Sequence, residues 1–382
     1  MGNGPDTRLI VPMENSREAA LVSETHALAA NNLQEVIYWL EEIEPLETVM
    51  DSQAELPEGR DQIPDFADVK GQESAKRALR VAAAGLHNVL LIGPPGGGKT
   101  MLARRMPSIM PAMNRDEVLE TTRIYSVAGL LNAEHPLIDV RPFRAPHKNA
   151  SSASIIGGGR VPRPGEISLA QNGVLFLDEF TEFNRDVLEA LRQPLEDKLV
   201  TIARAQATCT YPANFSLIAS CNPCPCGFFG SDLECTCTPP QIQKYLGRIS
   251  GPLLDRMDLH VEIPRVNFEQ LRDDSGSEGS ASMRENVLQA REIQLKRFSR
   301  HKFKLNSQMR PADVKRFCRL DESSEALLKN AFDRLKMSAR AYDRILKVAR
   351  TIADLDNAAD IKIQHLAEAM QYRSLDRKYW RN

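Results

Sequence analysis

Residues 88–100 read NVLLIGPPGGGKT, and this stretch decides the fold. Val89–Ile92 is an apolar run that predicts a buried strand, and Met101–Met106 begins a helical pattern just after the stretch. Between the two, Gly93–Thr100 satisfies the pattern G-x-x-x-x-G-K-[ST]. A strand, a glycine-rich loop and a helix in this order predict a phosphate-binding loop in a parallel α/β sheet.

The loop residues have distinct predicted roles in binding a nucleotide. Glycines let backbone N–H groups close around phosphates, and the helix N-terminus adds a favourable partial charge. Lys99 is expected to reach the β- and γ-phosphates, and Thr100 to hold Mg²⁺. A glycine-rich turn without a ligand is the alternative, which the flanking strand and helix disfavour. The loop consists of Gly93, Pro94, Pro95, Gly96, Gly97, Gly98, Lys99 and Thr100, and the expected ligands are ATP and Mg²⁺.

A second apolar run, Val174–Leu177, predicts a central strand that ends in two carboxylates, Asp178 and Glu179. Ligands of parallel sheets bind at the carboxyl ends of the strands. Asp178 is expected to coordinate Mg²⁺, directly or through water, and Glu179 to polarise the attacking water as general base. An ordinary Asp-Glu turn is the alternative, which the phosphate loop elsewhere in the chain disfavours.

Three further polar residues are candidates for the same site. Phe215–Ala219 predicts a third strand followed by Asn222, which could hydrogen-bond the γ-phosphate or the water, although an asparagine there is often only a turn former. Arg256 is a candidate arginine finger acting across a subunit boundary. Its alternative is a surface ion pair with Asp255 or Asp258. Arg340, in the first turn of a predicted helix, is expected to reach the nucleotide, with Arg344 as the neighbouring alternative.

Five of the seven cysteines lie close together in the sequence, directly after the third strand. Two C-x-C pairs separated by eight residues could supply four thiolates to a structural Zn²⁺. Cys221 and Cys224 offer an alternative C-x-x-C pair. Thiols that merely pack, or a disulfide formed after purification, are the other interpretations. The candidate zinc ligands are Cys224, Cys226, Cys235 and Cys237.

Composition and charge limit the classes of protein to which the chain can belong. The 382 residues are 42% apolar and 26% charged, without an apolar run long enough to span a membrane or a secretory leader. We therefore expect a soluble cytoplasmic protein with no membrane partner. The net charge of −2 conceals an asymmetry, because residues 1–65 carry 14 acidic and 3 basic side chains and the remainder 37 and 46. The excess of basic side chains after residue 65 is typical of proteins that bind nucleic acid. A solvated surface of mixed charge explains the excess equally well.

The chain divides at two changes in composition. Residues 8–49 predict a small unit with a strand at Leu9–Pro12 and helices at Ser16–Ser23 and Asn32–Ile43. The sequence DDSGSEGSAS at 273–282 predicts a flexible linker, after which only helical patterns occur. We thus expect an α/β core with a parallel sheet followed by an all-helical lid domain. The predicted segments are residues 1–50, a linker at 51–65, a core at 66–272, a linker at 273–282 and a helical domain at 283–382.

Several longer motifs are more specific than a general phosphate loop. Together they resemble the ComM/YifB family of magnesium-chelatase-like AAA+ ATPases, over residues 60–380. In that resemblance, Gln72 lies in Val69–Gln72, the segment that cradles adenine. The motifs are Phe143–His147, Gly157–Gly173, Cys221–Gly227, Arg248–Arg256 and Ala349–Leu355.

The resemblance implies a P-loop AAA+ core that assembles into a hexameric ring. It also implies a helix-2 insert within 127–170 and a hairpin near Val200–Tyr211, both facing the pore, and a DNA helicase that drives branch migration in natural transformation. Residues 1–50 resemble only the last part of the family's Lon-like N-terminal domain, without an assignable peptidase dyad. Candidate DNA contacts are Arg141, Arg144, His147, Lys148, Arg160, Arg163, Arg204 and the basic segment Arg291–Lys304.

Two other functions remain open at this point. The chain could be the motor subunit of a magnesium-chelatase-type complex that inserts Mg²⁺ into a porphyrin, because the ATPase cores are alike. It could also be an ATP-binding scaffold without turnover, which the complete set of Lys99, Asp178, Glu179 and Asn222 disfavours.

Overall fold

The computed structural model describes most of the chain, with several gaps. Its residues fall into two compact units, Met1–Asp61 with Ala112–Val140 and Gln62–Pro111 with Arg141–Asn382. Most of the predicted helix Ser16–Ser23, Arg160, Arg204, most of the first predicted linker and residues 273–276 of the second lie outside the described residues. The described residues are 8–16, 19, 26–49, 63–131, 137–159, 162–203, 208–267, 277–335 and 337–380.

The secondary structure of these residues is mixed. The strands are β1 Arg8–Pro12, β2 His26–Ala30, β3 Glu47–Thr48, β4 Val89–Ile92, β5 Phe143–Arg144, β6 Gly157–Gly158, β7 Arg163–Pro164, β8 Val174–Leu177, β9 Leu199–Ala203, β10 Thr208–Pro212, β11 Ser216–Cys221 and β12 Leu259–Glu262. The helices are α1 Leu33–Leu40, α2 Glu73–Gly85, α3 Lys99–Arg104, α4 Met106–Ile109, α5 Arg115–Ala128, α6 Ser152–Ile156, α7 Glu166–Leu169, α8 Arg185–Ala190, α9 Arg192–Asp197, α10 Pro239–Leu246, α11 Gly251–Leu254, α12 Ser280–Arg297, α13 Pro311–Phe317, α14 Glu322–Leu335, α15 Ala339–Leu355 and α16 Ile363–Tyr379. No helix in these ranges is both long and apolar enough to span a membrane.

The first unit contains a small sheet in which β1 pairs with β2 in parallel and β2 pairs with β3 antiparallel. The predicted strand and second helix of this region correspond to β1 and α1. Asn32 begins α1, because its side-chain oxygen accepts the backbone N–H of Glu35 at 3.1 Å. Asn114 and Glu117 cap α5 reciprocally in the same way.

The second unit is built on a five-stranded parallel sheet with the order β12-β4-β11-β8-β5. Strands β4, β8 and β11 are buried at every residue, which explains why each is an almost continuous apolar run. The helices α12–α16 follow the sheet in the sequence, and α15 packs on both α12 and α16. The predicted α/β core with a parallel sheet, followed by a helical region, is confirmed.

The second predicted linker ends earlier than expected. Helix α12 begins at Ser280 rather than after residue 282. Asp65 accepts the backbone N–H of Ser280 at 2.9 Å, and the Ser280 hydroxyl accepts that of Phe66 at 2.8 Å. Ser277 donates to the carbonyl oxygen of Val69 at 2.7 Å. Ser277 and Ser280, two of the small polar residues that suggested flexibility, are instead tied to the core by these hydrogen bonds.

Two elements lie in the regions where the resemblance implies pore-facing structures. Strands β9 and β10 form an antiparallel pair where the hairpin is expected. Within the predicted insert at 127–170, however, β5 pairs with β8 and is an edge strand of the central sheet. The expected insert therefore shares this range with a strand of the core, and its position stays a prediction.

Several candidate DNA contacts are internal side chains. Arg141 is 8% exposed and donates to the carbonyl oxygens of Pro111 and Asn172 at 2.5 and 2.6 Å. Arg291 donates to the carbonyl of Ala83, and Arg297 pairs with the buried Asp354 at 2.5 Å. The expectation that these three arginines face DNA is wrong, because an arginine stem and head can serve the core as well as the surface.

Candidate nucleotide site

The phosphate loop connects β4 to α3 at the carboxyl edge of the sheet. Gly98 has φ +87°, a left-handed conformation that side chains rarely adopt, and Lys99 begins α3 directly after it. Lys99 Nζ donates to the carbonyl oxygens of Gly93 and Pro94 at 2.7 and 2.9 Å. Burial lowers the pKa of Lys99. The ammonium is thus held over the centre of its own loop, where it could meet a phosphate oxygen.

Asp178 and Thr100 form the part of the site suited to a divalent cation. The Thr100 hydroxyl donates to Asp178 Oδ2 at 2.7 Å, and the Ser220 hydroxyl donates to Asp178 Oδ1. A hydroxyl and a carboxylate in contact are the hard oxygen donors that Mg²⁺ prefers. The residues present therefore fit the expected ion, and Ser220 is a partner that the sequence reasoning missed.

Glu179 follows directly at the end of β8 in a strained conformation. Its φ is +52°, and its backbone N–H donates to Asp178 Oδ1 at 3.0 Å. Strained backbone of this kind is frequent at functional sites. The Glu179 carboxylate, half exposed, pairs with Lys148 Nζ at 2.5 Å. This candidate base is therefore held by an ammonium group in the structure.

Asn222 lies beside the phosphate loop, as β11 is the strand between β4 and β8. Its Oδ1 accepts Lys99 Nζ at 3.1 Å. Ser220 is the next-to-last residue of β11 and Asn222 follows that strand, and the two extend towards Asp178 and Lys99 respectively. The position of Ser220 near the carboxyl end of a predicted strand is the signal that could have identified it.

Gln72 borders a cavity of about 570 Å³ next to the phosphate loop. Its side-chain N–H₂ donates to the carbonyl oxygens of Gly97 and Pro264 at 3.3 and 2.8 Å. The cavity has the size of a nucleotide-binding pocket. Its lining combines the segment before α2, strand β12 and helix α16, at Gly71–Ser74, His260–Glu262, Pro264, Gln371, Tyr372, Ser374 and Leu375.

Arg256 and Arg340 lie together, but far from Lys99 of the same chain. Both face Glu196: Arg256 pairs with its carboxylate closely, and Arg340 Nη2 lies 3.9 Å from Oε1. They line a cavity of about 470 Å³ that also includes Asn88, at the amino end of β4. At about 3.3 Å per residue, the rise of a strand places Asn88 roughly 17 Å from Gly93. The two arginines thus occupy the sheet edge opposite the phosphate loop.

Two alternatives were open for these arginines: an ion pair of Arg256 with a neighbouring aspartate, and Arg344 in place of Arg340. The structure supports neither. Arg256 pairs with Glu196, not with Asp255 or Asp258. Arg344 is bonded to the buried Asp258, which also accepts the backbone N–H of Asn88 at 3.0 Å. Arg344 therefore has a structural partner, whereas Arg340 is 60% exposed. No sequence signal connects Glu196 to Arg256, because the two are 60 residues apart.

The four candidate zinc ligands come together in one cluster. Their sulfur atoms all lie within 4.8 Å of one another. A backbone hydrogen bond from Phe228 lowers the pKa of Cys226 to about 6, whereas the pKa values of Cys235 and Cys237 are raised. Cys221 is buried at the end of β11, and burial raises its pKa to about 12. The geometry favours the two C-x-C pairs over the alternative pair that includes Cys221.

The chain is similar to known proteins along nearly its whole length. Residues 65–271 match the family described as magnesium chelatase, subunit ChlI, and residues 277–373 match magnesium chelatase, subunit ChlI C-terminal. Competence protein ComM of Haemophilus influenzae is 45% identical over 374 residues, which is 97% of this chain and 72% of that protein. YifB of Escherichia coli K12 is 44% identical over 373 residues, with the same coverage. Magnesium-chelatase subunit ChlI of Euglena gracilis is 21% identical over 231 residues, 54% of this chain and 60% of that protein.

Proposed function

The chain belongs to the magnesium chelatase family of AAA+ ATPases, in its ComM/YifB branch, and from that premise we propose that it is an ATP-hydrolysing DNA motor. The motor forms a hexameric ring and drives branch migration of DNA during natural transformation or recombination. The similarity to a protein named for competence supports the biological setting. The observation that carries the ATPase is the meeting of Lys99, Thr100, Asp178 and Asn222 at one edge of the sheet.

The proposed chemistry divides the work among these side chains. Lys99 neutralises the β- and γ-phosphates, and Thr100 and Asp178 hold the cation. When bound, Mg²⁺ would neutralise negative charge on the phosphates. Glu179 orients a water molecule and accepts its proton, and Asn222 positions either that water or the γ-phosphate. Gln72 and the cavity beside it bind the adenine of the nucleotide.

The placement of the two arginines supports the proposal of a ring. Arg256 and Arg340 lie on the edge opposite the phosphate loop of their own chain, so they could reach a γ-phosphate only in a neighbouring copy. We propose that both act in trans on the adjacent site. Glu196 then holds the two guanidinium groups until a more highly charged phosphate replaces it.

The proposal of DNA as the partner is supported by charge and by the resemblance. Among the candidate contacts, His147 and Arg163 are exposed, and Lys148, which pairs with Glu179, is half exposed. Arg144 is a weaker candidate, because it forms two hydrogen bonds with Glu166 at 2.7 and 2.8 Å. Phosphate contacts of this kind make binding strongly dependent on salt.

The decisive experiment measures ATP turnover alone, with single-stranded DNA and with a branched duplex. We expect stimulation by DNA that declines steeply between about 50 and 200 mM salt. Absence of turnover in all three conditions would overturn the ATPase. Turnover that no DNA changes would overturn the DNA partner and favour the motor subunit of a metal-insertion complex instead.

A further inference from the structure

A loop with four cysteines lies next to the phosphate loop and is not used by the proposed ATPase. Cys224 Sγ lies 3.3 Å from Cys226 Sγ and 3.7 Å from Cys235 Sγ, and Cys226 Sγ lies 3.6 Å from Cys235 Sγ. A tetrahedral ion with Zn–S bonds of ~2.3 Å requires sulfurs about 3.8 Å apart. Disulfide sulfurs would be separated by only about 2.05 Å. The observed spacing therefore suits four ligands around one ion.

The surroundings of the sulfurs also fit a metal site. The backbone N–H of Phe229 donates to Cys224 Sγ at 3.3 Å, and that of Cys226 donates to Cys237 Sγ at 3.4 Å. Hydrogen bonds to ligand atoms are the usual outer support of a metal centre. Cys224 is buried and the other three are partly buried. All-sulfur tetrahedral sites select zinc or iron among the common metals.

This loop contacts the phosphate loop on one side. Gly227 has φ +89°, and a Cβ atom there would lie 2.6 Å from Cδ of Pro95. Only glycine permits so close an approach in that conformation. The residue after Cys226 is thus packed directly on the second proline of the phosphate loop.

The same loop contacts the end of the helical region on its other side. The ring of Phe229 meets that of Tyr379 edge-on, with centroids 6.2 Å apart. The Tyr379 hydroxyl donates to Glu262 at 2.9 Å, and Trp380 Nε1 donates to the Leu246 carbonyl at 3.1 Å. The cysteine loop therefore connects the nucleotide site to the last helix, α16.

We propose that Cys224, Cys226, Cys235 and Cys237 bind one structural Zn²⁺, and that this ion fixes the phosphate loop relative to α16. On binding, the four thiols release their protons to solvent and donate their electron pairs to the ion. A closed four-cysteine site has no open position, so the metal takes no part in hydrolysis. The claim that the ion fixes the phosphate loop relative to α16 rests on the proposed function, because its effect is on nucleotide binding in that loop.

The metal is tested first, on the full chain purified without chelator. We expect about one Zn per chain by elemental analysis, and its release when a mercurial blocks the thiols. Cys226→Ser should lose the ion. Cys209→Ser should keep it, because Cys209 lies on β10 outside the cluster. Iron in place of zinc, or no metal at all, would overturn the assignment.

The coupling is tested by the affinity for a fluorescent ADP analogue. We expect Cys226→Ser to bind it about tenfold more weakly than the chain with its metal, in the range seen when supporting contacts are lost. Unchanged affinity after loss of the metal would overturn the coupling and leave the metal site standing. Failure of the unaltered chain to bind ADP would instead contradict the proposed function, whatever its zinc content.

A second variant covers the case in which Cys226→Ser does not fold. Gly227→Ala keeps all four sulfurs but forces a side chain against Pro95. We expect one Zn per chain together with weakened ADP binding. Normal ADP binding in a folded Gly227→Ala chain would contradict the coupling through Pro95.

Discussion

Lys148 Nζ lies 2.5 Å from Glu179 Oε2, so the candidate catalytic base is paired with a side chain from the loop after β5. From the sequence, Lys148 is a candidate DNA contact and Glu179 a candidate base for water activation, two roles without a visible link. The pair connects them, because the Lys148 ammonium group occupies a Glu179 carboxylate oxygen that would otherwise be open to the attacking water. Any group that draws Lys148 away leaves Glu179 available.

Removing the ammonium should therefore raise basal ATP turnover. We expect Lys148→Met to increase the rate without DNA about two- to fivefold, the range in which exposed ion pairs act. Lys148→Arg preserves the charge and should stay close to the unaltered rate. Steady-state phosphate release without DNA measures both. A Lys148→Met rate below the unaltered one would mean that Lys148 assists the reaction.

Glu179→Gln is expected to separate binding from turnover. The amide keeps the shape of the side chain but cannot accept the proton, so turnover should decrease at least 10²-fold while ATP still binds. Rapid phosphate assays and the affinity for a fluorescent ATP analogue measure the two properties. Glu182→Gln is the matched control, as Glu182 lies three residues later and pairs with Arg248 at 3.2 Å. Glu179→Gln turnover equal to the control would disprove the assignment of the base.

Arg256→Ala should abolish turnover through the neighbouring subunit. An arginine finger contributes on the order of 10³-fold to the rate, so we expect a loss of that size. The specific activity of the unaltered chain should also rise with its concentration, because a complete site needs two copies. Arg248→Ala, at an arginine whose side chain is 46% exposed, should be close to normal.

Mixing variants tests whether Arg256 acts in trans. Arg256→Ala and Glu179→Gln chains are each expected to be inactive alone. In a mixed ring, some interfaces combine an intact Glu179 with an intact Arg256, and turnover should partly return. If labelled subunits exchange and no activity returns, Arg256 does not act across the interface.

Asp258 should make the free energy of unfolding decrease at acidic pH. Burial opposes its charge, but Arg344, His87 and the Asn88 N–H hold the pKa of Asp258 well below its ordinary value of 3.8. As pH falls through about 4, the unfolded carboxyl takes up a proton that the folded one refuses, so the free energy of unfolding decreases. We expect this loss to begin below about pH 5 in urea unfolding followed by circular dichroism.

Asp258→Asn provides the test of that contribution. The amide leaves Arg344 without its partner, so the free energy of unfolding at pH 7 should fall by about 3 kcal/mol. The free energy of unfolding should also decrease less steeply as the pH falls. Asp333→Asn, at an exposed position on α14, is the control and should change neither. An unchanged slope in Asp258→Asn would assign the acid sensitivity to other carboxylates.

The parallel sheet and the meeting of Lys99, Asp178 and Asn222 could be predicted from the sequence. Each residue directly follows an apolar run or lies in a glycine-rich pattern, and the carboxyl ends of parallel strands share one edge. Local order along the chain is thus enough to bring these side chains together. The cysteine cluster could be predicted for a similar reason, because its four cysteines lie within one loop of 14 residues, 224–237.

Only the tertiary structure decided what the isolated charges do. Arg141 and Arg297 looked like surface arginines and are structural, whereas Glu196 showed no signal and faces both Arg256 and Arg340. The sequence does not show whether a charged side chain contacts solvent, a carbonyl oxygen or a carboxylate. Its partner is chosen by packing between elements that are far apart in the chain, as in Lys148 with Glu179, and no local pattern encodes that choice.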